Sequence, residues 1–365
     1  ITDLTVKNGD LVVATQGRSF WILDDLTPVR EYRDSIASEK IRLFKPRPAV
    51  RFPGGGFGGD EEGSSSAIGK NPPNGVLVSY YLKEKPGEKD VLTVEFLEGD
   101  KVLRSFTSEK KTREGEEAGA GGPPAGGGGP GDDEGDKPIE PKAGLNRLVW
   151  DMRIVKPSLL PRAIIWGNSQ GPKVAPGTYA VRVKYAGQTL TENFEVRPNP
   201  NAGATAEDLK QQYELLRQAR EGLSACHDGV QQIRDVKNQI KEIGDRAEKL
   251  GKGKGLKEKG KAVSDKLTAI EKKLVNPDIK ANQDVLNFEP ALDHQFAGLA
   301  TVAASADAKP TDSSPVYLKQ IQAELATVEG ELKSVLNKDL ADFNAEVRKQ
   351  DIPPVVVVTK KKEGG

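Results

Sequence analysis

The residues with the most reactive chemistry in this chain sit side by side at Cys226-His227-Asp228, a thiol, an imidazole and a carboxylate in the order nucleophile, base, orienting acid. The surrounding apolar spacing is helical. Consecutive residues on a helix point about 100° apart, so the three cannot form a relay, and Cys226 falls on the apolar stripe as a packing residue. His294, two residues from Phe296, is read as a boundary residue of a later helix. Trp21 with Asp24 and Asp25 is the second candidate: an aromatic face stacks on a sugar ring and carboxylates accept its hydroxyl protons. The competing reading, a Trp closing a β-core with Asp residues in the exit turn, is favoured, because hydrolysis needs two carboxylates fixed about one bond. Asp60-Glu61-Glu62 and Asp132, Asp133, Glu134 and Asp136 are oxygen clusters of the kind that hold calcium. They lack EF-hand spacing and are flanked by glycine, so solvated acidic loops are expected. Gly251 to Lys261 (GKGKGLKEKGK) resembles a phosphate cradle but has neither the P-loop pattern nor a strand before it, which leaves a basic interhelical loop.

Composition narrows the field further. The 54 basic and 54 acidic side chains cancel, so no electrostatic footprint for nucleic acid or an anionic membrane is present. One cysteine and two histidines rule out an intrachain disulfide, a cysteine-built zinc site and a histidine-rich metal cage. No cofactor, metal site or catalytic set is therefore expected. No apolar run approaches the roughly 20 residues of a membrane helix. The chain opens on Ile1 with neither an initiator methionine nor a signal peptide, as a processed or fragmentary chain would.

The elements that would position these residues change period along the chain. Ile1 to Val6 and Asp10 to Thr15 alternate about Asn8-Gly9, a strong hairpin signal because both residues accept positive φ, and Phe20 to Leu23 is a third strand. So small a sheet is marginal alone, and we expect it to be the last piece of a repeat-built β-structure whose earlier blades precede Ile1. Arg30 to Phe52 holds a short helical stretch and an extended, proline-bearing connector (Ile41 to Pro48). Strands follow at Val76 to Leu82, Asp90 to Leu97, Lys101 to Ser105, Asn146 to Met152, Thr178 to Tyr185 and Gln188 to Arg197. They close a sandwich around Leu92, Val94, Phe96, Leu148, Trp150, Tyr179, Val181, Val183 and Phe194. From Thr205, with Asp208 completing a capping box, the period becomes 3.6. Four stripes, broken at Gly251 to Gly255, Asn276-Pro277 and the polar stretch before Tyr317, predict an antiparallel helical bundle. The VVVVT run after Pro353-Pro354 reads as an edge strand docking elsewhere.

Three segments together resemble a known family. DLVVATQGRSFWILDDLTPVREY is similar to the final blade of bacterial sortilin-like propeller proteins with neuraminidase-type (BNR, Asp-box) repeats. KVLRSFTS, GLNRLVWDMR and VAPGTYAVRVKYAGQTLTENFEV resemble an immunoglobulin-like module of the flagellar-hook-capping type. NFEPALDHQFAGLATVAASADAKPTDSSPVYLKQIQAEL resembles the helical tail of those same proteins. No intact Asp-box is present, and the resemblance rests on the order of the segments.

The expected organisation is α+β and multidomain. It comprises the closing strands of a β-propeller and a connector (1–52), a flexible Gly-rich loop (53–75) and an Ig-like β-sandwich (76–200) with a disordered acidic insert at 109–138. A four-helix bundle (201–352) and a tail (353–365) complete it. The resemblance implies an extracytoplasmic, periplasmic or secreted protein, and this chain is expected to be a non-catalytic scaffold recognising a protein or glycan. The partners would be the missing propeller blades and that ligand, with no nucleic acid and no transmembrane segment. Trp21, Asp24 and Asp25 are the binding candidates. One alternative is the accessory part of a sialidase-like glycoside hydrolase whose active site lies in the missing propeller. The other is a surface or assembly component forming a homo-oligomer through the first hairpin and Val355 to Val358.

Overall fold

The computed structural model describes residues 1–52, 73–87, 89–109, 138–251 and 255–357. The Gly-rich loop (53–72), the acidic insert (110–137), Lys252 to Lys254 and the last residues (358–365) lie outside the described residues, and with them both acidic clusters and part of the Gly-Lys run. The described residues form a mixed α+β protein with three sheets and a helical C-terminal region.

The first sheet is a meander of β1 (Asp3–Lys7), β2 (Asp10–Ala14) and β3 (Phe20–Leu23). Its first turn is the predicted one, with Asn8 at φ 51° and Gly9 at φ 87°, the left-handed pair that matches strand twist. A one-turn helix α1 (Thr27–Glu31), with Pro28 in its first turn, leads out of the sheet.

Two further sheets enclose one apolar core. One has the order β4 (Ile41–Leu43), β6 (Val76–Leu82), β9 (Gly144–Trp150). The other has the order β5 (Ala49–Arg51), β11 (Gln188–Pro198), β10 (Gly177–Tyr185), β7 (Thr93–Glu98), β8 (Lys101–Thr107). The proline-bearing segment expected to be a connector thus supplies a strand to each sheet. Both strands lie at an edge, and Pro46 and Pro48 fall between them, so no ladder bond is lost to a missing N–H. The core is organised by Trp150, fully buried and stacked on Phe96 at 4.4 Å between ring centroids, with Tyr179 and Phe194 edge-on. Its indole N–H donates to Arg153 O at 2.8 Å, so burial leaves no polar group unmet.

The helical region begins as predicted, with Thr205 and Asp208 exchanging both bonds of a capping box ahead of α2 (Ala206–Lys249). α3 (Leu256–Leu274) follows Gly255, whose φ of 81° sets the entry. α4 (Leu292–Ala303), α5 (Ser313–Ser334) and α6 (Leu340–Lys349) complete it, α5 and α6 being one predicted stripe that passes through a π-helical segment at Val335–Asp339. α2 packs against α3, α4 and α5 around Leu223, Cys226, Val230, Ile233, Leu267 and Phe296. Buried Glu271 on α3 is clasped by Arg234 Nε at 2.8 Å and Lys237 Nζ at 3.0 Å from α2. Among the described residues, the stretch after Pro354 forms no strand. Val355 and Val356 instead exchange backbone bonds with the side-chain amides of Asn344 and Gln239, which removes them as a free edge for assembly.

The two-sheet core and the helices are joined by the segment between β9 and β10, residues 151–176, and by β5. Arg220 Nε donates to Val155 O at 2.6 Å, Ser158 N to Ser224 Oγ at 3.1 Å, and Asn168 N to Thr301 Oγ1 at 2.8 Å. Tyr213 of α2 inserts into the two-sheet core itself. Tightness on α2 is greatest at Gly222, where a Cβ would overlap the Phe296 ring of α4. Gly222→Ala should gain up to about 1 kcal/mol of helix propensity yet lose ~1–3 kcal/mol by overpacking, a net destabilisation readable as a lower urea midpoint. A raised midpoint would show that the α2–α4 contact yields freely.

Candidate functional site

The most unusual surface of the molecule is the first sheet. Register places Leu4 opposite Val13 and Val13 opposite Trp21, and likewise Val6, Leu11 and Leu23 in a second row. Directly paired residues share a face, so Leu4, Val6, Leu11, Val13, Trp21 and Leu23 form one wholly apolar face. It is open: Leu4 is 58% and Trp21 64% exposed. The opposite face carries Asp3, Thr5, Lys7 and Asp10 but also Val12, Phe20 and Ile22, and Phe20 and Ile22 are exposed as well. Apolar side chains thus stand open on both faces of three strands.

What holds this sheet to the rest of the chain is polar. Arg47, in the link between β4 and β5, forms an ion pair with Asp10 and donates to Asn8 O at 2.6 Å. Asp10 also accepts from the Asp25 amide at 2.8 Å. Partial burial pushes the Asp10 carboxyl up, but that amide and Arg47 together hold it below the usual aspartate range. Arg147 of β9 donates to Asp24 O at 2.8 Å, and Leu26 N to Gly9 O at 2.8 Å.

The three binding candidates part company here. Trp21 lies on the open apolar face, its indole N–H donating to Arg18 O at 3.0 Å. Asp25 is buried at φ 58°, and its carboxylate accepts from Thr27 N and Thr27 Oγ1 at 3.0 and 2.6 Å to start α1. Asp24 engages through its backbone, beside the chain exit. The carboxylate of Asp25 therefore serves the turn, and the aromatic ring serves the sheet face.

The Cys226-His227-Asp228 run is placed as helical geometry requires. Cys226 is in the helical core, and burial drives its thiol far above the usual range, which keeps it protonated. Asp228 is exposed. His227 is buried, accepts the Leu160 amide at Nδ1 (3.2 Å) and so carries its proton on Nε2, which lies 3.7 Å from Asp293 Oδ2. Asp293 Oδ1 in turn sits 3.0 Å from His294 Nδ1. His294 is thus buried in a His–Asp–His cluster between α2 and α4, in which neither His227 Nε2 nor His294 Nε2 makes a hydrogen bond. The sequence conceals this cluster because Asp293 is remote from His227 along the chain; the only hint is the Asp-His pair at the start of a helical stripe. The cluster is enclosed in the core, and among the described residues no group of three or more His, Cys, Asp or Glu side chains is placed to hold a metal ion. No described helix is long and apolar enough to cross a membrane.

Burial lowers the pKa of His227, with nearby His294 adding to the effect and Asp293 opposing it. A histidine depressed in the folded state stabilises fully above its unfolded value of about 6.5, and that contribution is lost as pH falls below it. Urea stability should therefore decline from pH 7 to pH 5, and His227→Gln should flatten the decline. An equally steep profile in the variant would assign the effect elsewhere.

Comparison of the chain with known protein families, with curated proteins and with solved structures finds no match.

Proposed function

We propose that this chain is a non-catalytic scaffold and binding segment in which an Ig-like sandwich and a helical bundle carry the closing strands of a β-propeller. The observation that carries this reading is the first sheet, with apolar side chains open on both faces. A sheet with one open apolar face suits a two-layer sandwich. A sheet open on both suits an inner member of a stack, as a blade is between its neighbours in a propeller. The occupants on this reading are other β-sheets of the same extracytoplasmic, sortilin-like protein, packing face to face on Leu4, Val13 and Trp21 and on Phe20 and Ile22. Protein or glycan ligands would be bound by the assembled propeller. The polar anchors at Arg47 and Arg147 fit this role, because they hold the sheet in place while leaving its faces free. The buried histidines are enclosed and Asp25 is engaged in its turn, so neither is a candidate for binding at the sheet face.

The chain without partner sheets should bind a hydrophobic dye such as anilinonaphthalene sulfonate at this sheet. Leu4→Glu and Trp21→Glu should each remove most of the signal while circular dichroism and thermal midpoint stay unchanged. Dye binding that is absent, or indifferent to both substitutions, would discard the docking face. Hydrolysis of a glycan panel, abolished by changing one carboxylate, would discard the non-catalytic reading.

A further inference from the structure

The outer edge of β1 is open, and the bonds around it show which backbone groups it presents. Thr15 N donates to Ser19 O at 3.2 Å, so Leu11 and Val13 of β2 turn their backbone groups toward β3, while Asp10, Val12 and Ala14 turn theirs toward β1. Leu4 and Val6 stand opposite Val13 and Leu11, so their own N–H and C=O groups point away from β2. Leu4 N accordingly turns to its neighbour, donating to Asp3 Oδ1 at 2.8 Å. Among the described residues β1 pairs with β2 alone, and every residue of Asp3–Lys7 is exposed. The outer edge of β3 differs, because it runs on into Asp24, whose O is taken by Arg147.

An open edge is a template for another strand, and the residues of β1 select which strand. Parallel pairing in register with a second copy would set Asp3 against Asp3 and Lys7 against Lys7, like charges in direct opposition. Antiparallel pairing slipped along the strand leaves both charges without an opposite. Antiparallel pairing centred on Thr5 has neither fault. It sets Asp3 against Lys7 of the second copy at both ends, Leu4 against Val6, and Thr5 against Thr5 on a two-fold axis. Leu4 and Val6 then exchange both backbone bonds, and the Asp3–Lys7 and Thr5–Thr5 pairs fall at the positions where opposed side chains approach more closely. The Asp3 carboxylate trades one partner for another: Leu4 N passes to Val6 O of the second copy, and the carboxylate meets the Lys7 ammonium. Leu4 and Val6 share a face with Leu11, Val13, Trp21 and Leu23, so that apolar face continues from one copy into the next. Arg47 and Arg147 reach the sheet at Asn8 and Asp24, and the two-fold carries the second copy's body to the opposite end.

We infer that β1 is a self-pairing edge through which two copies of this chain join their first sheets into one antiparallel sheet. The pairing uses the edge of the sheet and is independent of what packs on its faces. One strand a side is far smaller than the roughly 800 Å² per partner of a stable complex, so the dimer is weak and forms as concentration rises.

Sedimentation velocity of the full chain, from low to high micromolar concentration, should show a monomer passing into a dimer. Asp3→Lys and Lys7→Glu, each verified as folded by circular dichroism, should weaken self-association by about tenfold or more, since each sets like charges at both ends of the pair. An equimolar mixture of the two variants should recover the native affinity, because every charge again meets its opposite. Thr5→Cys should yield a disulfide-linked dimer on oxidation and Asp3→Cys should not, the native Cys226 being buried. A native chain that stays monomeric throughout, or a dimer that persists in Asp3→Lys alone, would overturn the inference. Folded variants that fail to associate on mixing would overturn it as well, and should Lys7→Glu not fold, absence of the Thr5→Cys cross-link does so by itself.

Discussion

The arrangement of this molecule depends on one buried guanidinium. Arg51 leaves an edge strand of the two-sheet core and, almost wholly out of water, pairs with Asp307 and Gln212 of the helical region. Gln212 passes the connection on, its amide donating to Ala303 O at 2.7 Å and Ala306 O at 2.6 Å at the end of α4. A strand, the first turns of α2 and the exit of α4 are thereby fixed against one another by directional bonds. Desolvating such a pair is costly, and its net contribution to stability is small or negative. Removing one partner costs about 3–5 kcal/mol, because the other charge is stranded in the interior. The consequence is geometric: relative displacement of the two bodies strands a charge, so the interface holds one orientation.

The connection between β9 and β10 extends the same logic along the chain. Backbone groups of a loop lying in a crease need partners, and here the helices supply them: Ser224 to Ser158, His227 to Leu160, and Ala297 O and Thr301 to Asn168. His227 is consequently fixed in tautomer and position, while its neighbour Cys226, turned about 100° away along the helix, packs in the helical core. The loop, the buried His–Asp–His cluster and the Arg51 group are three parts of one polar seam through an otherwise apolar interior.

Features governed by neighbours in sequence are legible in the residues alone. Asn8-Gly9 dictates its turn, Thr205 and Asp208 their capping box, and the apolar stripes of α2 to α6 their buried faces, because each is settled within one or two turns of chain. Trp150 is legible as a core residue for its bulk and its place in an alternating strand. The seam is not. Arg51 and Asp307 are 256 residues apart and Arg51 and Gln212 are 161 apart, and nothing local distinguishes a buried arginine from a solvated one. The edge strands β4 and β5 read as a connector because Pro46 and Pro48 dominate the local pattern, whereas pairing with β6 and β11 is decided by distant partners. Propensity alone assigns Val355 and Val356 to a sheet, and two side-chain amides take their backbone groups instead.

The seam also makes the first sheet stand out. Against the buried cores of the two-sheet and helical regions, Leu4, Val6, Trp21, Ile22 and Phe20 remain clustered in water. Full burial of a side chain of this size stabilises by roughly 1.5–3 kcal/mol, so these residues hold on the order of 10 kcal/mol that nothing in the described chain realises. The charged and backbone anchors at Asp10, Asn8 and Asp24 contribute position more than stability, since exposed pairs are worth about 1 kcal/mol or less. A three-stranded meander is marginal by itself. Its apolar faces become stabilising only against another apolar surface, because burial of these side chains and not the polar anchors carries the free energy.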